Sequence, residues 1–370
     1  MKIIILKENL KIALSSVERG VVENNNLPIL KNVLLKADKN FLISATNLEI
    51  GVVYSAAAKI TEVGSITVPF GPLYSIIQNS DSERINLIAE GNTLIVKTDN
   101  YEAKMQGVSA DEFPIIPTIE QKEAYITIEA DVLKDAINQV VGAAQVSELK
   151  PELSGILFDF QVSILKLAAT DSYRLAEKTL LNNDFKTTLQ KGVKVIIPLR
   201  TISEVLRIFT PDKPVQIHID AHQILFTNGV IHLISRLIDG QYPDYTAIVP
   251  QKLETELLME RENILSALKL VGGFAGKTSD VKLRAKKDTK VLEVYSSNQY
   301  VGENNYLIPT RRTGDGFNEV SFNSRYLMDG VRVMPGETIS FGVNGPNKPA
   351  ILKVAGDTSF FYIVMPLEGK

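Results

Sequence analysis

The string GGFAGKTS, starting at Gly272, has the most suggestive spacing for chemistry, because Gly276-Lys277-Thr278 is similar to the end of a phosphate-binding loop. Such a loop cradles phosphates with backbone N–H groups between a strand and the helix that follows it. Two features exclude that reading: Val271 stands where the first glycine belongs, and the string follows a helical pattern instead of a strand. It is expected to be a mobile helix-to-strand loop. His218 and His222 are four residues apart, but in an alternating apolar stretch typical of a strand, and His232 has no obvious acidic partner. A zinc site needs three or four converging ligands, so exposed strand histidines are expected and no metal or other cofactor. The chain has no cysteine, which excludes disulfides, thiolate nucleophiles and thiolate metal sites together. Carboxylates are plentiful but scattered. Asp171, in Thr170-DSYR, is as readily a turn residue as a catalyst.

The elements that would position any site repeat along the chain. KENLKIALSSV from Lys7, ADVLKDAINQV from Ala130 and RENILSALKLV from Arg261 each follow an apolar, strand-like stretch. Without gaps, Leu10, Leu133 and Ile264 align, as do Ala13, Ala136 and Ala267; Leu14, Ile137 and Leu268; and Val17, Val140 and Val271. These positions form one apolar helical face. Glu8-Asn9, Asp131 and Glu262-Asn263 stand at the helix starts, where acids and capping residues favour the positive end. The register continues: Pro28 and Leu30 match Pro151 and Leu153, Thr46-Asn47 matches Thr170-Asp171, Pro69 matches Pro198, and Phe113-Pro114 matches Tyr242-Pro243. Second helices open at PFGPLYSIIQ from Pro69, PLRTISEVLR from Pro198 and FNSRYLMDGV from Phe322. Alternating stretches at Thr93, Val215 and Thr338 read as strands. The expected organisation is three similar α+β domains, 1–122, 123–251 and 252–370, each with two helices and several strands.

Bulk properties limit the function classes. At 370 residues, 45% hydrophobic and 22% charged, the chain suits a folded protein of several domains and has no low-complexity tract. Lys7 interrupts the apolar run Ile3 to Leu6, too short for a secretion signal, and no run reaches the length of a membrane span. A cytoplasmic protein without a membrane partner is expected. The net charge of −3 argues against a basic groove but not against a locally positive lining. Basic residues recur on the helix faces, at Lys11, Lys134, Arg200, Arg207, Lys269 and Arg325. A solvated face is the simpler account of each one singly; recurrence in three copies favours a shared surface.

Leu27-PIL, Thr46-NLE, Thr170-DSYRL, Asp239-GQYPDY, Phe322-Asn323 and Tyr362-IVMPL, at these separations, resemble the bacterial DNA polymerase III beta subunit, the sliding clamp family. The resemblance runs from Met1 to within three residues of the end. It implies three DNA-clamp domains, each of two β-α-β-β-β units, with helices lining a ring and antiparallel sheets outside. It further implies a head-to-tail homodimer that encircles double-stranded DNA and tethers polymerases without being an enzyme. Its partners would be the polymerase III catalytic subunit, the clamp loader, and other polymerases and repair proteins, all bound through short linear motifs. The matching pocket positions are Leu153, Thr170, Ser172, Tyr173, Arg174, Leu175, Pro243, Ile248, Asn323, Tyr326, Ile363, Met365, Pro366 and Leu367. Ala247 stands where some relatives carry arginine. Lys150 joins the six helix-face cations as a DNA-binding candidate, Arg200 matching a family position associated with DNA. Asn24-Asn25-Asn26 and Gly71-Pro72 replace basic positions of some relatives, so the lining is expected to be less positive. Alignment brings Ala103 and Met105 to one side of the subunit contact and Phe274 to the other. The rival readings are a peptide-binding scaffold without a DNA role and a phosphate-ester hydrolase using Asp171.

Overall fold

The computed structural model describes residues 1–23, 26–119, 123–287 and 289–367. The Asn24-Asn25 substitution, the domain boundary at residue 122 and the tail 368–370 lie outside the described residues. Among the described residues the six α-helices are α1 (Lys7–Val17), α2 (Phe70–Asn79), α3 (Ala130–Val141), α4 (Leu199–Ile208), α5 (Arg261–Gly272) and α6 (Ser324–Arg332). Each follows a strand, with only Glu129 between strand and helix at α3, and at least three strands come after it. α1, α3 and α5 each have a short fourth, Ala58–Glu62, Phe185–Thr187 and Arg311–Gly314, so the β-α-β-β-β unit occurs six times in chain order.

The expected apolar faces are the buried ones. Leu10, Ala13, Leu14 and Val17 on α1, and their counterparts on α3 and α5, are at most 1% exposed. Each large aliphatic side chain buried this way stabilises the fold by about 2 kcal/mol. Glu8 and Glu262 sit in the first turns of α1 and α5, but the capping positions are Leu6 and Glu260, with no side-chain cap. The strand running straight into the helix explains this. The first helical N–H groups, of Lys7 and Arg261, donate instead to the Glu83 and Glu337 carbonyls at 2.8 and 2.7 Å.

Contacts group the chain into two compact units. The first holds 1–131, 186–189 and 203–237; the second holds 132–185, 190–202 and 238–370. The middle repeat is divided because its strands extend the sheets of both neighbours. In the first unit a nine-stranded antiparallel sheet is continuous where Ile231–Arg236 pairs with Ile50–Ala56, Leu233 opposite Val52 and Ser235 opposite Ile50. In the second, another nine-stranded sheet is continuous where Arg174–Leu181 pairs with Phe360–Val364, Arg174 opposite Val364 and Leu175 opposite Ile363. Each unit adds a smaller sheet, of five strands ending at the edge strand Glu102–Gln106, and of four strands ending at Gly302–Pro309.

The segments between repeats run back over the large sheets. In the first unit Ile116 and Ile119 pack on Leu225 and Ile234. In the second Ile238, Tyr242 and Tyr245 pack on Leu157, Ala168 and Ile196. This covering layer corrects the expectation for the histidines. His218 is 6% exposed, with its ring 5.6 Å from that of Tyr125, because the chain leading into α3 covers that face of its strand. His222 is exposed at the following turn. The GGFAGKTS string runs from Gly272, the last residue of α5, to the strand Asp280–Ala285, a helix-to-strand connection as expected.

Candidate functional site

The turn joining Ile164–Thr170 to Arg174–Leu181 is built by its own side chains. Asp171 Oδ1 accepts from the N–H of Tyr173 and of Arg174 at 2.9 and 3.0 Å. Thr170 Oγ1 donates to the Arg174 carbonyl at 2.6 Å and accepts from Ser172 N–H. Ser172 is held at φ +78°, a left-handed conformation that costs a non-glycine residue about 1 kcal/mol. The motif thus satisfies the turn's backbone and aims the next side chains outward. Tyr173 is 62% exposed.

Arg174 is the hinge of the electrostatics. Its Nε donates to Asp171 at 2.9 Å and its Nη1 to Asp329 of α6 at 2.7 Å. The guanidinium lies 4.3 Å over the ring of Tyr326, a cation–π contact. Burial alone would lower its pKa. The neighbouring Tyr362 and its bonds to Asp329 and Asp171 outweigh burial and raise it above the usual arginine range. α6 reaches this position because Gly330 packs flat on the Tyr362 ring, where a Cβ would come within 2.5 Å of a ring carbon. Asn323 caps the same helix, accepting from the N–H of Arg325 and Tyr326.

In front of Arg174 lies a hollow of about 240 Å³. Leu153, Thr170, Ser172, Tyr173, Arg174, Pro243, Ile248, Ile363 and Met365, all expected there, line it. The last strand closes one side through Met365 N–H, which donates to the Tyr173 carbonyl at 2.8 Å. Leu175 is fully buried behind the wall, with Ile351 and Ile363. Asn323 acts as the α6 cap and Tyr326 as the surface under Arg174; Ala247 is exposed in the short turn Thr246–Ile248. Pro366 and Leu367 continue past the lining, where Leu367 N–H donates to the Ser321 carbonyl. Glu152, Asp244 and Tyr245 also line the hollow and were not foreseen. Tyr245 was legible only as part of the DGQYPDY motif. The hollow presents aliphatic, proline and methionine surface edged by a fixed cation, which suits an apolar anchor flanked by polar groups.

The structure distributes the basic candidates unequally. Lys150 lines the hollow, its Nζ donating to Ser172 Oγ at 3.2 Å, apart from the helix-face cations with which it was grouped. A lysine in a loop beside the Thr170 turn has no helical periodicity to reveal its neighbours. In the first unit Lys11 and Arg207 converge, with Lys213, Ser15, Ser16 and Tyr54, around a second hollow of about 500 Å³. Arg207 also pairs with Glu204 at 3.3 Å. Lys134 is half-buried on α3; Arg200, Lys269 and Arg325 are exposed on α4, α5 and α6. Ala103 and Met105 lie on the edge strand of the five-stranded sheet, and Phe274 is half-buried just after α5.

The family described as DNA polymerase III beta subunit matches this chain with its N-terminal domain over residues 1–117, its central domain over 127–244 and its C-terminal domain over 246–368. A beta sliding clamp of Synechococcus elongatus is 29% identical over 378 residues, covering 100% of this chain and 99% of the relative. The crystal structure of the Bacillus subtilis DNA polymerase sliding clamp is 26% identical, covers 100% of both chains and superposes with a TM-score of 0.94. That of the Pseudomonas aeruginosa DNA polymerase III beta subunit is 27% identical, covers 99% of this chain and 100% of the other, and gives 0.93.

Proposed function

Because the chain belongs to the DNA polymerase III beta-subunit family, the sliding clamps, we propose that it acts as a non-catalytic processivity factor. Two copies close head to tail into a ring around duplex DNA, and the hollow beside Arg174 takes short linear motifs of polymerases, the clamp loader and repair proteins. The observation that carries the reading is that hollow: a preformed apolar surface whose one guanidinium is already held by two carboxylates. Preorganisation of this kind lowers the ordering cost of binding a flexible peptide.

Asp171, the residue a hydrolase would need, is 2% exposed in its side chain and committed to its turn and to Arg174. That favours a binding role over catalysis. The edge strands Glu102–Gln106 and Gly302–Pro309 each present one unpaired side, which supports pairing between copies, with Ala103, Met105 and Phe274 at the junction. A heterologous contact of this kind forms a closed ring when its rotation closes. The domain limits 1–122, 123–251 and 252–370 and a cytoplasmic location belong to the same proposal.

Retention on DNA then comes from enclosure, with few phosphate contacts that carry no sequence information and do not impede sliding. Lys11, Arg207 and the cations of the other helices supply them. The test is loader-dependent retention on nicked circular DNA. Retention that is lost when the circle is linearised supports the clamp; equal retention on both forms, or none on circles, refutes it.

A further inference from the structure

The strand Arg174–Leu181 carries an acid where its face should be apolar. Glu177 is opposite Ala168 on one side and Phe361 on the other, and is 5% exposed. A carboxylate buried among such neighbours is unfavourable unless its oxygens are hydrogen-bonded. Both are. Lys166 Nζ donates to Oε1 at 3.3 Å, and the Tyr245 hydroxyl donates to Oε2 at 2.5 Å.

Tyr245 is the residue through which this matters. It lies in the segment that runs back over the sheet, packs on Leu157 and Ala168 and also on Leu175 and Ile363, and its outer surface lines the hollow beside Arg174. It stands edge-on to Tyr242, with ring centroids 6.4 Å apart, and begins the short turn that presents Ile248. The covering segment is tied to the sheet at its start by the Ile238 N–H, which donates to the Ile196 carbonyl at 2.9 Å, and further along side chains help hold it in place. Its apolar contacts are non-directional, whereas the Tyr245–Glu177 bond is directional and holds the part of the segment that lines the hollow.

We propose that Glu177, which does not itself line the hollow, is a positioning residue for peptide binding: it anchors Tyr245 and thereby fixes the wall formed by Tyr245, Pro243 and Ile248. The proposal rests on the reading of that hollow as the peptide site. It assigns a binding consequence to a side chain that a contact map of the hollow alone would omit.

The probe is a fluorescein-labelled C-terminal peptide of the cognate polymerase III catalytic subunit, titrated by anisotropy against the full chain. Tyr245→Phe removes one oxygen and leaves the packing; it is expected to weaken the peptide about tenfold, the scale of one charge-assisted hydrogen bond. Glu177→Ala should weaken it by a similar factor, and the double variant by no more than either alone, because the two act through one bond. Glu177→Gln keeps an oxygen acceptor for the Tyr245 hydroxyl and should recover most of the loss. A purely structural role would lower the melting temperature without this pattern of rescue. Tyr245→Phe and Glu177→Ala that bind as tightly as the parent overturn the positioning role and leave the peptide site standing. A parent chain that does not bind the peptide overturns the site, and the positioning role with it.

Discussion

The turn Thr46–Ile50 in the first unit and the turn Thr170–Arg174 in the second have the same backbone construction and different surroundings. In the first, Asn47 Oδ1 accepts from the N–H of Glu49 and Ile50, Thr46 Oγ1 donates to the Ile50 carbonyl, and Leu48 is held at φ +74°. Strand pairing makes the equivalences firm: Ile50 stands where Arg174 stands, Gly51 where Leu175 does, and Ser235-Arg236 where Val364-Met365 do. Each turn faces a hollow, and the first is the larger, about 340 Å³ against 240 Å³. Size therefore does not distinguish them. The first is lined by Glu49, Gln223, Ser235 and Arg236 among its aliphatic residues, and Ile116 is pressed onto the bare backbone of Gly51. The second has Met365 in place of Arg236, a guanidinium locked by two acids, and a wall held by Tyr245. Duplicated backbone produces the hollows; a few side chains at fixed register decide which of them presents an apolar surface edged by a fixed cation.

The largest effect should come from the residue that differs most. Arg174→Ala leaves the buried Asp171 without its cation, which should cost about 3 kcal/mol in chemical denaturation and weaken a polymerase peptide at least about tenfold. Ile50→Ala, a cavity substitution, should cost about as much stability but leave peptide affinity unchanged. Equal loss of peptide affinity in both variants would break the contrast.

Gly51→Ala probes the other side. Its Cβ would lie 2.6 Å from Ile116 Cγ2, so the covering segment must shift, at about 1–3 kcal/mol. Denaturation that shows no change would mean that Ile116 yields freely. A reciprocal exchange follows in size. Asn47→Asp keeps the turn acceptor and should change stability by less than about 0.5 kcal/mol, whereas Asp171→Asn keeps the turn but loses the charge facing Arg174, at about 1–2 kcal/mol. Thermal melts of the two single variants decide it.

The smallest effect at neutral pH appears only in alkali. Burial raises the pKa of Tyr242, Tyr245 and Tyr362 in the second unit, with Glu177 reinforcing the shift at Tyr245, and burial raises Tyr54 in the first. A phenol whose folded pKa lies above its unfolded value contributes stability that is intact below the ordinary tyrosine pKa of about 10 and lost as pH rises beyond it. The second unit should therefore lose hydrogen-exchange protection first above about pH 10, and Tyr245→Phe should shallow that loss. Protection lost first in the unit of Tyr54 would contradict the assignment.

Much of this was readable without coordinates, and the reason is periodicity. Leu10, Leu133 and Ile264 had to face a core because helical spacing leaves an apolar stripe no other use, and the βα order followed from alternation ending where that stripe began. The Thr-Asn and Thr-Asp turns were visible as a repeated motif, although their meaning was not: Asp171 could be called catalyst or turn residue until its acceptor bonds were known. What only the tertiary structure decided depends on register between distant segments. Lys150 joined the hollow, Leu175 went behind it, His218 was covered by Tyr125, and Glu177 found Tyr245 across a gap of 68 positions. Local spacing specifies which face a side chain takes on its own element, but not what is laid over that face. The segments that decide it have no period of their own, and their placement is set by packing against the finished sheets.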